Sequence, residues 1–338
     1  MKFIIDNKIP FISGRLEPFG DVFYSSPEDI TPELVRDADA IIVRTRTKCD
    51  AALLGKSSVK LVATATIGTD HIDIPWCESN GISVRNAAGC NAPGVAQYVW
   101  SSLLAHGFNP ESDTLGVIGY GHVGSIVAGW GRALGARILV CDPPRKDAGY
   151  ADCDYIPMER ALAESDAVTI HTPLTRDGNH PTFHLIGENE LNMLKDGAVL
   201  VNTARGPVVD NDAWLRHLGA KRTEAIIDVW EGEPEISIPL LEKAYVATPH
   251  IAGYSSEGKQ RATRMALTAV GEFFNLPIDT SGLCGEYVSP GNVFPTGAAQ
   301  IIMDSYNPFA DTDALRADPS AFEKLRSEYD YRHEPLLK

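Results

Sequence analysis

Three polar residues with complementary side chains each follow a short apolar run in the second half of the chain. Arg205 follows AVLVNTA, Glu233 lies in DVWEGEP after AII, and His250 lies in TPHIAGY after YVA. A histidine can accept a hydroxyl proton near neutral pH, and an arginine can bind a carboxylate through two parallel hydrogen bonds. A glutamate beside the histidine makes the ring a stronger base and fixes its tautomer. Together these residue types are suited to oxidising a small 2-hydroxy acid.

Each of these residues also has an ordinary structural interpretation. Arg205 could lie in a solvated turn, Glu233 in an exposed loop, and His250 could be buried and paired with the backbone. Their positions argue against coincidence, because all three follow strands of one predicted parallel sheet. The carboxyl ends of such strands share the edge at which open α/β sheets bind ligands.

A glycine-rich loop begins the same predicted sheet. In GYGHVG, Gly119, Gly121 and Gly124 lie between the apolar run LGVI and a predicted helix. Glycines at this spacing allow a tight turn, the approach of a pyrophosphate and close packing of helix on strand. Asp142 ends the next strand, near the ~20 residues at which a ribose-binding carboxylate is expected. The pattern predicts a dinucleotide site with a preference for NAD over NADP, which the basic residues just behind Asp142 could weaken.

The elements that must position these groups alternate between apolar runs and helical patterns. Up to about residue 90, strands are predicted at 2–5, 40–43 and 60–65, followed by a helix from Asn91 to His106. Six further strands are predicted to begin at Leu115, Arg137, Ala167, Ala198, Ala225 and Ala244. A helix over 256–275 then returns the chain to the first domain. The fold class is α/β with two doubly wound parallel sheets.

The predicted domains are a Rossmann NAD-binding domain over residues 91–250 and a discontinuous, flavodoxin-like substrate domain over 1–90 and 251–280. Residues 281–338 form a short C-terminal extension, interpreted as a shortened dimerisation element. The part from Pro290 to Pro308 is predicted to be extended, and one helical stretch is predicted over 319–331.

Composition limits the function further. The chain has 30 basic and 45 acidic residues, a formal charge of -15, which disfavours nucleic acid and anionic membranes as partners. The six cysteines are widely spaced, and no signal peptide or membrane span is recognisable, so a soluble cytoplasmic protein is expected. His180 and His184 in HPTFH are spaced like a metal pair, but no third ligand is evident, so no metal is expected.

A cationic cluster follows the second predicted strand. Arg44, Arg46 and Lys48 alternate with Thr45 and Thr47 in RTRTK. In an acidic protein this cluster is suited to a phosphate or a second carboxylate. The alternative is a run of charges at the strand end that faces solvent.

The strings GYGHVG, NTARGPVVD, DVWEGEP and PHIAGY resemble the D-isomer-specific 2-hydroxyacid dehydrogenase family, over most of the chain up to about residue 275. VRTRTK and HIAGYSSEGK resemble those members that oxidise a phosphorylated four-carbon acid for pyridoxal phosphate synthesis. The resemblance implies that Arg205 binds the substrate carboxylate and that Glu233 tunes His250, the proton acceptor. It implies cofactor contacts from His122, Val123, Thr172, Asp228 and Gly253, and substrate contacts from Thr45, Thr66 and Tyr254, with Arg44 and Arg46 at the phosphate. It also implies a homodimer.

Two alternatives stay open from the sequence. One is another enzyme of the family, acting on D-3-phosphoglycerate, D-lactate or hydroxypyruvate. The other is a non-catalytic NAD-sensing protein on the same fold. The cationic cluster argues against unphosphorylated acids, and the presence of Arg205, Glu233 and His250 together argues against a sensor, which has no need of a base.

Overall fold

The computed structural model describes residues 1–220, 223–288 and 294–337. Its strands are β1 (Lys2–Asp6), β2 (Asp21–Ser25), β3 (Ala40–Val43), β4 (Leu61–Thr64), β5 (Ser83–Asn86), β6 (Thr114–Ile118), β7 (Arg137–Cys141), β8 (Ala167–Ile170), β9 (Val199–Asn202), β10 (Glu224–Ile227) and β11 (Val246–Ala247). The six strands predicted from residue 115 onward are thereby confirmed as β6 to β11.

The α-helices connect these strands and continue beyond them. They are α1 (Pro32–Val35), α2 (Ala51–Leu54), α3 (Ile74–Ser79), α4 (Ala92–His106), α5 (His122–Leu134), α6 (Pro143–Asp147), α7 (Met158–Glu164), α8 (Glu188–Met193), α9 (Asn211–Ala220), α10 (Ile238–Lys243), α11 (Ser256–Phe274), α12 (Ala298–Ser305), α13 (Pro308–Ala317) and α14 (Phe322–Ser327). Short 3-10 turns occur at Glu17–Phe19, Pro27–Asp29, Gly206–Val208 and Pro319–Ala321. Within the described ranges, no helix is both long and apolar enough to cross a bilayer.

The chain divides into two compact units. The first unit comprises Met1–Asn91 and Ser255–Tyr287, and the second comprises Ala92–Tyr254 and Val288–Lys338. The chain therefore enters the second unit at α4, returns to the first with α11, and ends in the second. The described residues after Tyr287 pack with the second unit, and they are called the tail below.

The first unit contains a five-stranded parallel sheet in the order β2-β1-β3-β4-β5, the flavodoxin order. Its middle strands β3 and β4 are completely buried, because cores cover both faces of the sheet. The edge strands β2 and β5 were not predicted from the sequence. Their burial is partial and their residues are mixed, so they lack the continuous apolar run that marks a central parallel strand.

The second unit contains a six-stranded parallel sheet in the order β11-β10-β9-β8-β6-β7. Tyr155 forms a single parallel bridge to Val140 of β7, outside the named strands. Counting that bridge as a vestigial strand gives the dinucleotide-binding order 3-2-1-4-5-6, extended by β11. Apolar clusters cover both faces of this sheet, one including α4 and α5 and the other α9 and α10.

The prediction of extended chain from Pro290 to Pro308 is wrong over residues Ala298–Ser305, which form α12. Residues 289–293, which include Pro290, lie outside the described residues. Helix α12 buries Ala298 and Ile302, four residues apart, and its Ile302 carbonyl accepts a 3.0 Å hydrogen bond from Ser101 of α4. Packing against α4 supplies the stability that the local Gly- and Pro-rich sequence did not indicate.

Candidate active site

The carboxyl ends of three adjacent strands in the second unit are joined by backbone hydrogen bonds. Beyond β9 and β10, the Asp228 amide donates to the Asn202 carbonyl at 3.0 Å. The His250 amide in turn donates to the Asp228 carbonyl at 2.8 Å. The residues that follow β9, β10 and β11 are thus brought into lateral register at one edge of the sheet.

His250 and Glu233 form a hydrogen-bonded pair at this edge. His250 Nδ1 lies 2.8 Å from Glu233 Oε2 and 3.1 Å from Oε1, and both side chains are mostly buried. Burial alone would raise the pKa of Glu233, but the hydrogen bond to His250 and the charges of His250 and Arg326 lower it overall. An ionised carboxylate can only accept, so Nδ1 carries the proton and Nε2 presents its lone pair. This is the tautomer that a proton acceptor requires.

Asp228 lies beneath the loop that follows His250. Its Oδ1 accepts 2.7 Å hydrogen bonds from the Thr248 hydroxyl and the Ile251 amide. Because Thr248 donates to Asp228, it must accept at its other side, so the Tyr98 hydroxyl donates to Thr248 across 2.8 Å. Burial raises the pKa of Asp228 despite the nearby charge of His250 and these hydrogen bonds. The Tyr98–Thr248–Asp228 chain was not found from the sequence, since its first two members are 150 residues apart.

Arg205 lies in a turn shaped by two neighbours. The Asn202 side chain, completely buried, donates to the Arg205 carbonyl at 3.0 Å and accepts from the Ala204 amide at 3.1 Å. A Cβ atom at Gly206 would lie 2.0 Å from the backbone of Trp230, so only glycine allows this turn to lie against the loop that carries Glu233. The turn is therefore fixed from both sides.

The glycine-rich loop follows β6 and leads into α5. Gly119 has φ +89°, and a Cβ there would lie 2.7 Å from the His171 carbonyl oxygen. A Cβ at Gly124 would lie 1.9 Å from the Gly119 carbonyl oxygen. A Cβ at Gly121, by contrast, would meet no described atom within 4 Å. The fold itself therefore requires glycine at positions 119 and 124. The space beside Gly121, at the start of α5, is open to a ligand.

Asp142 follows β7 and accepts two backbone hydrogen bonds. Its Oδ2 accepts from the Tyr120 amide at 2.7 Å, and its Oδ1 accepts from the Arg145 amide at 3.0 Å, capping α6. A carboxylate has further lone pairs, so a ribose hydroxyl can still bind. The Arg145 guanidinium lies 2.7 Å from Asp152 Oδ2 and donates to the Tyr155 hydroxyl at 3.0 Å. Of the two basic residues that could weaken a preference for NAD, Arg145 and Lys146, the first is therefore already paired.

Other residues near the loop fit a dinucleotide. The Thr172 hydroxyl is buried and has no hydrogen-bond partner among the residues that the structure describes. It follows β8, across the switch in strand order from the glycine loop that follows β6, where doubly wound sheets bind ligands. Its neighbour His171 is held by Thr169 at 2.9 Å, and burial lowers the pKa of the His171 ring to about 3. The uncharged His171 ring, the open space beside Gly121 and the buried Thr172 hydroxyl are compatible with a bound NAD. His122 is exposed and Val123 half-buried in the first turn of α5.

The first unit carries the cationic cluster. Arg44 follows β3, and its Nε lies 3.2 Å from Oδ2 of Asp6, which ends β1 and is completely buried. β1 and β3 are the neighbours at which the strand order of this sheet reverses. The ion pair thus lies at the topological switch point of the first unit, the usual ligand-binding edge.

The other residues of the cationic cluster differ in exposure and in their partners. Thr45 and Arg46 are exposed beyond the strand end. Lys48 is also exposed, but its ammonium lies 2.9 Å from the carboxylate of Asp50, the residue that caps α2. Thr66 lies beyond β4 and donates to the Gly68 carbonyl at 3.3 Å while sharing a 2.6 Å hydrogen bond with the Thr64 hydroxyl.

Residues that the sequence did not single out come from the tail. Arg332 donates to backbone carbonyls of the loop that follows His250 and contains Gly253 and Tyr254. Arg326 places its charge near Glu233. Neither arginine belongs to a recognisable motif, so no local signal could have found them.

The histidines of HPTFH have carboxylate partners instead of a shared ligand. His180 Nε2 lies 2.8 Å from Asp147, and His184 Nε2 lies 2.9 Å from Glu231. In the part of the chain that the structure describes, no three His, Cys, Asp or Glu residues are grouped as metal ligands.

Comparison with known proteins identifies the family. Residues 85–252 match the sequence model of the D-isomer specific 2-hydroxyacid dehydrogenase, NAD binding domain. The erythronate-4-phosphate dehydrogenase of Bacteroides fragilis is 43% identical over 99% of this chain and 97% of its own length, and that of Porphyromonas gingivalis is 38% identical over 99% and 94%.

Among solved structures, the 3-phosphoglycerate dehydrogenase of Entamoeba histolytica with bound NAD+ has a TM-score of 0.68 and 25% identity, covering 85% of this chain and 99% of its own. Its likeness agrees with the two parallel-sheet units. The chain therefore belongs to the erythronate-4-phosphate dehydrogenases within the D-isomer-specific 2-hydroxyacid dehydrogenase family, and it is an NAD-dependent oxidoreductase.

Proposed function

We propose that this enzyme oxidises 4-phospho-D-erythronate to (R)-3-hydroxy-2-oxo-4-phosphooxybutanoate, in the synthesis of pyridoxal 5'-phosphate. The observation that carries the chemistry is the His250–Glu233 pair, with Nδ1 bonded to the carboxylate and Nε2 left as the acceptor. The names of the relatives support the substrate.

In this proposal His250 Nε2 takes the proton of the substrate's C2 hydroxyl as a carbonyl forms at C2. NAD, when bound, accepts the hydride that leaves C2. Glu233 stabilises the resulting imidazolium, because its carboxylate lies 2.8 Å from Nδ1. Arg205 binds the substrate carboxylate and draws charge from the forming carbonyl oxygen. In the reverse direction His250 returns the proton.

The cofactor contacts follow the same reasoning. Gly119, Gly121 and Gly124, with the N-terminus of α5, would hold the pyrophosphate. Asp142 would bind the adenosine ribose. Further contacts are assigned to His122, Val123, Thr172, Asp228 and Gly253, with Asp228 at the nicotinamide amide. A carboxylate accepts hydrogen bonds from N–H groups, which is the chemistry that the Asp228 assignment requires.

For the phosphate we propose Arg44, Thr45, Arg46 and Thr66, with Tyr254 as a further substrate contact. Arg44 is oriented by the buried carboxylate of Asp6, so its remaining N–H groups have a fixed direction. Arg46 and Thr45 are exposed beyond the same strand end. The overall charge of -15 opposes the approach of a dianionic phosphate, so a local cluster of cations is needed to bind it.

The first experiment follows NADH fluorescence with 4-phospho-D-erythronate, D-3-phosphoglycerate and D-lactate as alternative substrates. Turnover with the phosphoerythronate alone is expected. Turnover only with another acid would keep the chemistry and reject the substrate. No turnover with any of them, despite tight NAD binding, would favour a sensor.

A variant tests the phosphate assignment. Arg46→Ala should raise the KM for 4-phospho-D-erythronate about tenfold or more, the cost of one charge-assisted contact, while kcat changes little. Lys60→Ala is the control, since Lys60 is exposed just before β4, at the opposite edge of the same sheet. Equal KM values for the parent and R46A would show that Arg46 does not bind the phosphate.

We propose a cytoplasmic homodimer as the working form. All six cysteines lie within the described residues and none of them forms a disulfide, which suits a reducing compartment. Val288, Ile301 and Leu336 expose apolar surface on the tail, as residues at a subunit interface would before association. Light scattering on the purified protein gives the mass directly, and a monomer at working concentration would reject the dimer.

A further inference from the structure

The loop Ile251–Tyr254 follows His250 directly and is held by one residue of the tail. Arg332 Nη1 donates to the Ile251 carbonyl at 3.1 Å and to the Tyr254 carbonyl at 3.3 Å, and its Nη2 donates to the Ala252 carbonyl. One guanidinium thus contacts three of the four carbonyls of this loop.

The remaining N–H groups of Arg332 fasten it to the rest of the second unit. Nη2 donates to the Gly94 carbonyl at 3.1 Å, and Nε donates to Gln97 Oε1 at 3.0 Å, both on α4. The guanidinium also lies over the Tyr306 ring, 4.4 Å from its centre. All five N–H donors of the side chain are therefore used, in directions that only a planar fork provides.

The carboxylate of Asp311 compensates the charge of Arg332 through two tyrosine hydroxyls. Arg332 Nη1 also lies 3.3 Å from the Tyr329 hydroxyl. The hydroxyls of Tyr306 and Tyr329 donate to Asp311 of α13, at 2.8 and 3.4 Å. The guanidinium of Arg332 itself is directed at the carbonyl oxygens of Ile251, Ala252, Tyr254 and Gly94.

The hydrogen bonds from Arg332, together called the Arg332 clamp, bear on the backbone conformation of His250, which directly precedes the loop. His250 has φ +58°, a left-handed backbone that histidine seldom adopts, so its neighbours must hold it there. On one side its amide is bonded to Asp228, and on the other the loop Ile251–Tyr254 is bonded to Arg332. The ring direction depends on both anchors.

We propose that Arg332 is a positioning residue for the reaction. By fastening Ile251–Tyr254 to α4, it keeps His250 in the backbone conformation that aims Nε2 at the substrate hydroxyl. The tail, predicted from the sequence as a dimerisation element, then has a role within each active site. This inference rests on the proposed role of His250 as the proton acceptor.

The test compares Arg332→Ala and Arg332→Lys with Arg316→Ala as the matched control. Arg316 is also a tail arginine that donates to a backbone carbonyl of the second unit, but that carbonyl belongs to Ala244, at the amino end of β11. R316A and R332A both remove a hydrogen bond from a tail arginine to a backbone carbonyl. Only R332A releases the loop that follows His250.

With 4-phospho-D-erythronate, R332A should lower kcat about 100-fold, the loss typical of a misplaced catalytic group. The Kd for NADH should change much less, because Gly253 is the only proposed cofactor contact in the released loop. R332K should be impaired nearly as much, because an ammonium has three donors and no fork. Added guanidinium should restore part of the R332A activity. R316A should keep the parental kcat even if its Tm falls.

Hydrogen exchange measured on the peptide that spans 250–258 supplies a readout without substrate. The Ile251 and Tyr254 amides should exchange faster in R332A and in R332K than in the parent or R316A. Suppose that the parent turns over none of the acids, yet exchange accelerates only in the Arg332 variants. The Arg332 clamp would then be supported and the proposed reaction rejected. The proposal would be overturned if R332A kept both the kcat and the exchange rates of the parent. Should R332A not fold, the same result in R332K would overturn it. So would equal losses of kcat in R332A and R316A.

Discussion

The glycine loop and the loop His250–Tyr254, which carries the proposed proton acceptor and is called the catalytic loop below, lie at the carboxyl edge of one sheet. Different kinds of contact hold the two loops. The glycine loop is fixed by neighbours in sequence: Asp142, which accepts from the Tyr120 amide, is 22 residues away. The catalytic loop is fixed from a distance. Arg332 binds the Tyr254 carbonyl across 78 residues of chain, and Tyr98 supports Thr248 across 150.

Because the two loops are held by different contacts, substitutions should be able to change cofactor binding and the rate of the reaction independently. The glycine loop keeps its shape as long as β6, α5 and the neighbouring β7 form, so its own part in cofactor binding depends mainly on segments close in sequence. If Arg332 positions His250, the catalytic loop keeps its shape only when this part of the tail is packed against α4. Substitution of Arg332 should then affect kcat, and substitution of Gly121 should affect NAD affinity.

The largest effect is expected at His250. His250→Asn should lower kcat about 10²–10⁴-fold, the usual contribution of a general base, and should leave the Kd for NADH unchanged. Asparagine is chosen because it tolerates the left-handed backbone at φ +58°, so the loss reports the ring and not strain. Steady-state rates and fluorescence titration measure the two quantities. A normal kcat in H250N would remove His250 from the mechanism.

Within the glycine loop, two substitutions of the same size should behave differently. Gly121→Ala should fold like the parent, since a Cβ there meets nothing within 4 Å, yet weaken NAD binding about tenfold if the pyrophosphate passes it. Gly124→Ala should instead cost about 1–3 kcal/mol of stability, because its Cβ would lie 1.9 Å from a carbonyl oxygen. Thermal melting and calorimetric titration separate them. Parental NAD affinity in G121A would show that the pyrophosphate lies elsewhere.

A smaller effect is expected on the choice of cofactor. Asp152→Asn should release Arg145 from its 2.7 Å ion pair, so that it can approach a 2'-phosphate. The ratio of Kd values for NADP and NAD should fall by roughly threefold to tenfold, since Asp142 still repels the phosphate. The double variant D152N/R145Q is the control and should restore the parental ratio. An unchanged ratio in D152N would mean that Arg145 does not limit selectivity.

The smallest effect is confined to acid pH. The pKa of Glu233 lies below its ordinary 4.5, so its ionised form stabilises the folded protein above that pH, and the stabilisation is lost as pH falls through the folded pKa. The Tm difference between the parent and Glu233→Gln should therefore be present at neutral pH and shrink below pH 4.5. A difference that stayed constant down to pH 3, far into the range of carboxyl titration, would contradict the ionised pair.

Much of the second unit was predictable because its sheet is buried. Strands β6 to β11 are apolar runs separated by helices, and a parallel sheet covered on both faces produces that pattern. Strands β2 and β5 were missed because they lie at the edges of the first sheet, where partial exposure allows polar residues. Helix α12 was missed because its stability comes from Ser101 and Gln97 of α4, which its own sequence does not reveal.

The sequence by itself determined the family, the two parallel sheets, the glycine loop and the set of polar residues at the strand ends. These depend on residue type and short spacing, which are visible along the chain. Only the tertiary structure decided which nitrogen of His250 faces Glu233, that Arg145 is already paired, and that Arg332 holds the catalytic loop. Hydrogen bonds between side chains and backbone far apart in sequence follow no period, so they are fixed only when the sheet brings their partners together.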